Sequence, residues 1–337
     1  MEKRTISFIK PGVAELVKGE IEAPAAGEVQ VKLAVSTISS GTERANLIGD
    51  PNINPNGAGI VRFPRTLGYS SSGTVTAVGE GVTDIKVGDR VALTWSIHAE
   101  YVNIKSGFAH KLPDEVSFED AAIFHISIFP LAALRKCKLE IGESAIVMGM
   151  GVLGLIAIPL LKQAGAVPII AVDPNPEKRQ KALETGADYA LDPYAPDFAE
   201  TAKKLTNGGA NVGIEVTGVG AGLDGILDCM AKFGRVALLG CTRNKDFTID
   251  YYRKVHAPGI TLIGAHTQAR PVTESHGGWW TMGDDIKAVT KLTHMNRIKL
   301  SSLVEETHSP EEATEVYNRL ANEKTFPLVQ FDWRLLK

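Results

Sequence analysis

The sequence predicts an α/β protein with two domains, one an irregular β domain and the other a doubly wound parallel sheet. Its 337 residues are 44% hydrophobic and 22% charged, which is enough to build two cores. Short β-rich runs separated by turn signals extend from Thr5 to about Leu112. Beyond Glu140 strand and helix patterns alternate, which is typical of a parallel sheet with helices on both faces.

The segment between these regions predicts a helix, and the last residues predict a tail. Ser117 can cap the helix because Asp120 stands three residues later, and the pattern runs to about Lys136 with a distortion at Pro130. After "ITLIGAHTQARP" the alternation stops. A helix near "DDIKAVTKLTHMNRI" and a final strand in "FPLVQFDW" are too little for an independent core. We expect this tail to fold back onto the N-terminal domain.

Composition excludes several classes of partner. The net charge is -3 and no basic block is present, so we expect neither nucleic acid nor a membrane surface, and a small-molecule substrate instead. The three cysteines form no CxxC pair, and no apolar segment follows the charged N-terminus, so we expect a cytoplasmic protein. The longest apolar run, Gly151 to Leu161, is shorter than the roughly 20 residues of a membrane span.

The strongest local signal is a glycine-rich turn between a strand pattern and a helix pattern. The motif "GMGVLG" predicts backbone contacts to a pyrophosphate from Gly149, Gly151, Val152, Leu153 and Gly154. Asp173 ends the next strand, 19 residues after Gly154, where a carboxylate would accept hydrogen bonds from ribose hydroxyls. A carboxylate there would repel a 2′-phosphate, so NAD is favoured over NADP, and Arg179 is expected to be solvated.

At this point the sequence resembles the medium-chain dehydrogenase/reductase (alcohol dehydrogenase-like) superfamily. The motifs that carry the resemblance are "SGTE", "LGYSSSGTVTAVGEGV", "KVGDRV", "AEYV", "GMGVLG", "EVTG" and "GRVALLG". It implies a GroES-like catalytic domain over residues 1–126 and 267–337 and a Rossmann NAD-binding domain over 127–266. It also implies a homodimer or homotetramer. "STISSGTER" and "LGYSSSG" are most similar to a zinc-less branch that contains bacteriochlorophyllide dehydrogenase-like and bi-domain oxidoreductases.

The positions that ligate catalytic zinc in relatives hold other residues here. The resemblance places Ser40, Tyr69 with Ser70, and His125 at those positions. Three His, Cys or carboxylate ligands are needed for such a site, and one imidazole with hydroxyl groups falls short. The four-cysteine lobe of structural zinc is also missing. We therefore expect no metal.

Without zinc, another group must polarise a carbonyl or accept an alcohol proton. Tyr69 is the first candidate, His125 the second, and Thr42, Glu43 and Ser40 complete the predicted catalytic set by position in the family motif. Each has an alternative. Tyr69 could fill the volume of the metal, His125 could be a core histidine, Ser40 a turn residue, and Glu43 a structural partner of Arg44 or Arg90.

The resemblance also supplies further binding candidates. For the ribose and nicotinamide they are Thr217, Gly240, Ala265 and His266, and for the substrate it is His98; the motif "HGGWWTMGDD" itself adds Trp279 and Trp280 as substrate candidates. The adjacent tryptophans predict an aromatic cleft wall suited to a sugar ring, with an oligomer contact or a core plug as alternatives.

These features favour a zinc-independent, NAD(H)-dependent oxidoreductase that interconverts a secondary alcohol and a ketone on a sugar, glycoside or polyol. Two other functions stay open as alternatives. One is a metal-free quinone or enone reductase. The other is a nucleotide-binding or redox-sensing protein without turnover.

Overall fold

A computed structural model describes residues 1–54, 57, 59–244 and 246–337. The first part of the chain forms β1 (Glu2–Lys10), β2 (Val13–Glu20), β3 (Glu28–Thr37), α1 (Ser40–Ile48), β4 (Arg65–Thr66), β5 (Ser70–Val78), β6 (Arg90–Thr94), β7 (Tyr101–Lys105), β8 (Ala109–Lys111) and α2 (Phe118–Ala121). The middle forms α3 (Phe124–Lys136), β9 (Ala145–Met148), α4 (Val152–Gln163), β10 (Ile169–Val172), α5 (Pro176–Thr185), β11 (Tyr189–Leu191), α6 (Phe198–Leu205), β12 (Ala210–Glu215), α7 (Gly220–Asp228), β13 (Met230–Leu238) and β14 (Thr261–Gly264). The last part forms α8 (Met282–His294), β15 (Glu306–His308), α9 (Ala313–Asn322) and β16 (Val329–Asp332).

The chain divides into two compact units. Unit 1 contains Met1–Ile126 and Val289–Lys337, and unit 2 contains Ser127–Ala288. The sequence analysis expected the second boundary after residue 266. In the structure it lies after residue 288. The reason is that Arg270 and Asp285 belong to an ion-pair cluster with Arg135, which ties the segment 267–288 to unit 2.

Unit 1 is built on the predicted irregular β domain. Its larger sheet has the strand order β15-β16-β3-β5-β6-β8, with β7 paired to β3, and a smaller sheet has the order β2-β1-β4. The tail joins the larger sheet because β16 pairs antiparallel with β3, with Phe331 opposite Ser36. Residues 289–337 thus fold onto the N-terminal domain as expected, whereas residues 267–288, the first part of the predicted tail, belong to unit 2. The buried face of this unit includes Val31, Leu33 and Tyr317.

Unit 2 is a doubly wound parallel sheet. Its strand order is β11-β10-β9-β12-β13-β14, and each neighbouring pair is parallel. The order reverses at β9, the first strand of the sheet, and ligands of such sheets bind at the carboxyl ends of the strands beside this switch point. All residues of β9 and β10 are buried, as expected for strands covered on both faces.

The local helix signals hold in part, because the single helix predicted from Ser117 to about Lys136 is two helices, α2 and α3. The Ser117 hydroxyl oxygen accepts a hydrogen bond from the Asp120 backbone N–H at 3.0 Å and caps α2. Pro130 lies inside α3, and α8 covers the helix pattern of the tail. Within the described residues, every helix is too short or too polar to cross a membrane.

Candidate functional site: a dinucleotide cradle and a tyrosine-histidine site

The glycine-rich turn joins β9 to α4. Gly149 has a φ of 104°, a left-handed conformation that favours glycine. A Cβ at Gly154 would overlap the Gly149 carbonyl oxygen, so the third glycine is required for close packing of the helix on the turn. A Cβ at Gly151, the residue that caps α4, would meet only open space. The second glycine thus leaves room for a ligand at the helix N-terminus, where backbone N–H groups attract anions.

Asp173 follows β10 and is 8% exposed. Its Oδ2 accepts a hydrogen bond from the Met150 N–H at 2.8 Å, and its Oδ1 accepts one from the Asn175 N–H at 2.9 Å. The carboxylate therefore holds the glycine-rich turn beside the end of β10. A carboxylate has about four acceptor sites, so these two bonds leave capacity for ribose hydroxyls.

Arg179 is held in place, which corrects the expectation that it is solvated. Its Nη1 donates to the carbonyl oxygens of Asp173 at 2.8 Å and Pro174 at 2.9 Å and pairs with Asp192 at 3.2 Å. The guanidinium is engaged by carbonyl and carboxylate oxygens, which reduces its availability for a 2′-phosphate.

The turns after β12 and β13 approach each other closely. Glu215 is buried, and its carboxylate accepts hydrogen bonds from the Thr217 N–H at 2.7 Å and the Thr217 hydroxyl. Burial raises the pKa of Glu215, although the Thr217 and Gly218 donors oppose that effect. A Cβ at Gly240 would overlap the Gly218 backbone nitrogen. The structure therefore brings Thr217 and Gly240 together, and a Cβ at Gly149 would lie 3.0 Å from the Thr217 methyl group.

Ala265 and His266 follow the edge strand β14. The buried Ala265 donates its N–H to the Leu238 carbonyl oxygen at 3.1 Å. Desolvation and the positive charge of Lys136 lower the pKa of His266, so its ring is neutral at physiological pH. The predicted cofactor residues of unit 2 lie in the turns that follow its strands, except Val152, Leu153 and Gly154, which form the first turn of α4. This arrangement fits a dinucleotide.

In unit 1, Tyr69 and His125 form the centre of a second site. The Tyr69 hydroxyl donates a hydrogen bond to Oγ of Ser39, the buried residue that precedes α1. Nδ1 of His125 lies 2.6 Å from the Tyr69 carbonyl oxygen. The Trp95 N–H lies 3.2 Å from the same nitrogen and donates to the Tyr69 carbonyl oxygen at 3.0 Å, so the His125 ring is fixed against both backbone segments.

Trp95 completes this site and was missed by the sequence analysis. Its ring centroid lies 4.7 Å from His125 and 6.1 Å from Tyr69, and the Tyr69 and His125 centroids are 5.2 Å apart. Trp95 has a φ of 59°, an unusual conformation for a bulky residue, and is 42% exposed. Such strain occurs preferentially at functional sites. Only the position of Trp95 after "KVGDRVALT" could have identified it.

Ser40 and Thr42 lie in the first turn of α1, next to Ser39. Both are partly buried, and the Thr42 carbonyl oxygen accepts a hydrogen bond from the Asn46 side chain at 2.8 Å. The hydroxyl that contacts Tyr69 belongs to Ser39, one residue before the predicted Ser40.

Glu43 and His98 do not lie on an exposed cleft wall. Both side chains are fully buried, and His98 Nε2 lies 3.1 Å from Glu43 Oε2. The second Glu43 oxygen accepts from the Ser39 N–H at 2.8 Å. The predicted substrate contact for His98 is therefore wrong for this conformation, because both ring nitrogens face protein groups, Glu43 and Ser36. Glu43 acts as a structural carboxylate.

The tail supplies the remaining partners of this buried network. The Tyr317 hydroxyl donates to Glu43 Oε2 at 2.5 Å, and burial beside that carboxylate raises the pKa of Tyr317 well above its usual value. The Trp333 indole N–H donates to the Ser36 hydroxyl oxygen at 2.9 Å. The alternative partners Arg44 and Arg90 donate instead to backbone carbonyl oxygens. Through Glu43, this network holds the backbone N–H of Ser39, the residue that precedes α1.

The residues of unit 1 do not fit a catalytic zinc ion. Ser70 donates to the Ala122 carbonyl oxygen at 2.7 Å, and the Tyr69 hydroxyl and His125 Nδ1 are engaged as described. Zinc in such sites takes thiolate, imidazole or carboxylate ligands. Across the described residues, no group of three His, Cys, Asp or Glu side chains could hold a metal ion.

The tryptophan pair belongs to unit 2 and packs against cations. The Arg135 guanidinium lies 3.5 Å from the Trp280 ring centroid, and the Lys136 ammonium lies 4.7 Å from that of Trp279. Both tryptophans are partly buried. Each ring thus has a cation–π partner within the unit, and their predicted substrate contact stays a prediction.

Comparison with known proteins agrees with the two units. Residues 25–114 match the alcohol dehydrogenase GroES-like domain, and residues 152–275 match the family described as zinc-binding dehydrogenase. These two stretches are thus similar to the GroES-like and zinc-binding dehydrogenase domains of alcohol dehydrogenases, in agreement with the fold of the two units.

Particular relatives include sugar and diol dehydrogenases. The chain is 40% identical over 184 residues to (R,R)-butanediol dehydrogenase of Bacillus subtilis, a match that covers 46% of this chain and 53% of that protein. It is 28% identical over 284 residues to D-guloside 3-dehydrogenase of Shigella flexneri, covering 77% and 80%. The crystal structure of 2R,3R-butanediol dehydrogenase from Bacillus subtilis aligns with a TM-score of 0.82 and 26% identity over 98% of this chain and 99% of that chain.

Proposed function

We propose that this protein is a zinc-independent, NAD(H)-dependent oxidoreductase that interconverts a secondary alcohol and a ketone on a sugar, glycoside or polyol. The glycine-rich turn, Asp173 and the turns after β12, β13 and β14, together called the dinucleotide cradle, support the proposal of a nicotinamide dinucleotide as cofactor. The similarity to dehydrogenases of butanediol and D-guloside supports the substrate class.

The observation that carries the proposal is the arrangement of Tyr69. The residue at the position of a zinc-ligating histidine presents a phenol that is oriented by Ser39 and flanked by His125. Oxidation of an alcohol removes a hydride from carbon and a proton from oxygen. When bound, NAD⁺ supplies the hydride acceptor, so the chain must handle the proton.

Tyr69 and His125 can do this without a metal. In ketone reduction, the single Tyr69 O–H turns from Ser39 Oγ to the substrate and passes its proton to the oxygen on which negative charge develops, which leaves a phenolate that the Ser39 hydroxyl can donate to. In alcohol oxidation, the Tyr69 oxygen acts as phenolate and receives the proton of the substrate hydroxyl. His125 is 1% exposed, so its ring flanks the phenol and holds the Tyr69 backbone through Nδ1 and the Tyr69 carbonyl oxygen. Proton transfer by a positioned side chain contributes about 10²–10⁴-fold to rates.

NAD rather than NADP is the proposed cofactor. Asp173 is buried at the end of β10 and carries a carboxylate that would repel a 2′-phosphate. Arg179 is engaged by the Asp173 and Pro174 carbonyl oxygens and by Asp192. We expect a 2′-phosphate to lower cofactor affinity at this site.

The test is a substrate panel on metal-analysed protein. Sugars, glycosides, polyols, quinones and enones are assayed with NAD⁺ or NADH by the absorbance of NADH, before and after treatment with a chelator. The proposal expects turnover of a polyol or sugar that the chelator does not reduce. Turnover confined to quinones or enones, stoichiometric zinc, or NADH binding without turnover of any compound would each overturn it.

A further inference from the structure

Lys136 is a buried lysine that the proposed chemistry does not use. It ends α3 and is 5% exposed. Its Nζ donates to the Gly264 carbonyl oxygen at 3.2 Å and lies over the Trp279 ring. Lysine is almost never fully buried without a compensating partner. The ammonium group is therefore held in place by a carbonyl dipole and an aromatic face.

The position of this amine is defined by the sheet. Gly264 is the last residue of β14, and the predicted cofactor residues Ala265 and His266 follow it directly. In a doubly wound sheet the two mononucleotide halves of the cofactor lie over the two halves of the sheet. Asp173, after β10, marks the half for the adenosine. The nicotinamide half then belongs to β12–β14, where the Lys136 ammonium lies.

Charged groups surround Lys136 on every packed element. Arg135 precedes it on α3, Arg270 lies in the turn after β14, and Asp285 lies on α8. Buried Asp285 accepts from Arg135 at 2.8 Å and from Arg270 at 3.2 Å. His266 is neutral at physiological pH, and burial raises the pKa of the neighbouring Cys137 thiol to about 12. Three cations thus lie near the Asp285 carboxylate, so the local charge is positive in both states of Lys136 and larger when Lys136 is protonated.

The amine changes charge within an accessible pH range. Burial, assisted by the charge of Arg270 and opposed by that of Asp285, lowers the pKa of Lys136 to about 8. Arg135 and Arg270 stay charged at such pH values.

We propose that the Lys136 ammonium sets the relative affinity of unit 2 for reduced and oxidised cofactor, favouring NADH. This inference rests on the proposed function. The nicotinamide ring is positively charged in NAD⁺ and neutral in NADH, while the ribose and phosphate groups are the same. A nearby buried cation therefore opposes NAD⁺ selectively, and salt screens a buried charge only weakly.

The test measures binding and not turnover. Dissociation constants for NAD⁺ and NADH are determined by calorimetry and fluorescence at pH 6.5 and pH 9.5. In the native protein, the ratio Kd(NAD⁺)/Kd(NADH) is expected to fall about three- to tenfold as pH rises through the Lys136 titration. Lys136→Arg should keep the ratio high at both pH values, and Lys136→Met should keep it low at both. Lys204→Met, an equal change of net charge on the exposed face of α6, is the matched control.

A spectroscopic readout separates this role from a structural one. Binding is reciprocal, so NAD⁺ should lower the pKa of Lys136, followed by NMR of labelled lysine, by about 0.5 to 1 unit relative to NADH. A purely structural residue would change both dissociation constants by the same factor. Ratios that are equal in all variants, with both cofactors still bound, would overturn this inference alone. Failure of the native protein to bind either cofactor would overturn the proposed function.

Discussion

The Tyr69 hydroxyl donates a hydrogen bond to Oγ of Ser39. Ser39 is in turn held through its backbone N–H by Glu43, whose carboxylate is fixed by His98 and Tyr317. The Tyr69 phenol is thus connected to a buried polar network in its own unit. The predictions below test this connection first.

Ser39→Ala should slow turnover by removing the group that orients the Tyr69 phenol. We expect kcat to fall about tenfold or more, because small misplacements of a reacting group are costly. The NADH dissociation constant should not change, since the cradle lies in unit 2. Ser40→Ala is the matched variant one residue away, and an equal loss in both variants would refute a specific role for Ser39.

Glu43→Gln should destabilise the protein. Glu43 accepts hydrogen bonds on both carboxylate oxygens, and a glutamine keeps only one acceptor oxygen, so either the Ser39 N–H or the Tyr317 O–H loses its carboxylate acceptor. The expected loss is about 3 kcal/mol in the free energy of unfolding, measured by urea denaturation. The exposed Glu15→Gln should change it by less than about 0.5 kcal/mol. A neutral effect of Glu43→Gln would contradict the buried network.

Gly154→Ala and Gly151→Ala should behave differently. The first places a methyl group against the Gly149 carbonyl oxygen and should lower stability by about 1–3 kcal/mol. The second adds a methyl group in open space and should leave the melting temperature unchanged while weakening NADH binding. Thermal unfolding and NADH fluorescence distinguish the two effects. NADH affinity that is unaffected by Gly151→Ala would argue against a pyrophosphate at this turn.

His308 should contribute stability that depends on pH. Although desolvation lowers the pKa of His308, hydrogen bonds to Glu306 and Glu312 outweigh it and raise the pKa above the usual value. The contribution is therefore fully present below about pH 6.5 and is lost as pH rises through the raised value. Because these groups are partly exposed, it should stay below about 1 kcal/mol. His308→Gln should flatten the difference in unfolding free energy between pH 6 and pH 9, and an unchanged difference would exclude His308.

Local signals in the sequence were sufficient to predict the fold class and the packing of the glycine-rich turn. The fold class follows from strand and helix periodicity, and the tight packing of Gly154 against Gly149 follows from a spacing that only glycine satisfies. The Ser117 cap is also a local feature.

Features that depend on distant residues were missed or misplaced. Whether Ser39 or Ser40 faces Tyr69 depends on where α1 begins. The sequence predicts that His98 lines the substrate cleft, but tertiary packing buries it against Glu43 and Ser36. The second domain boundary is set by ion pairs of Asp285 with Arg135 and Arg270, which no local pattern reveals.

The measurement that tests the central claim most directly is the turnover of Tyr69→Phe on the best substrate of the panel, with NADH affinity determined on the same preparation. The account predicts that kcat falls about a hundredfold or more while the NADH dissociation constant stays within about twofold. Tyr194→Phe, at a tyrosine that is 81% exposed in unit 2, should retain full activity. A Tyr69→Phe variant with native turnover would contradict the claim that this phenol handles the proton in place of zinc.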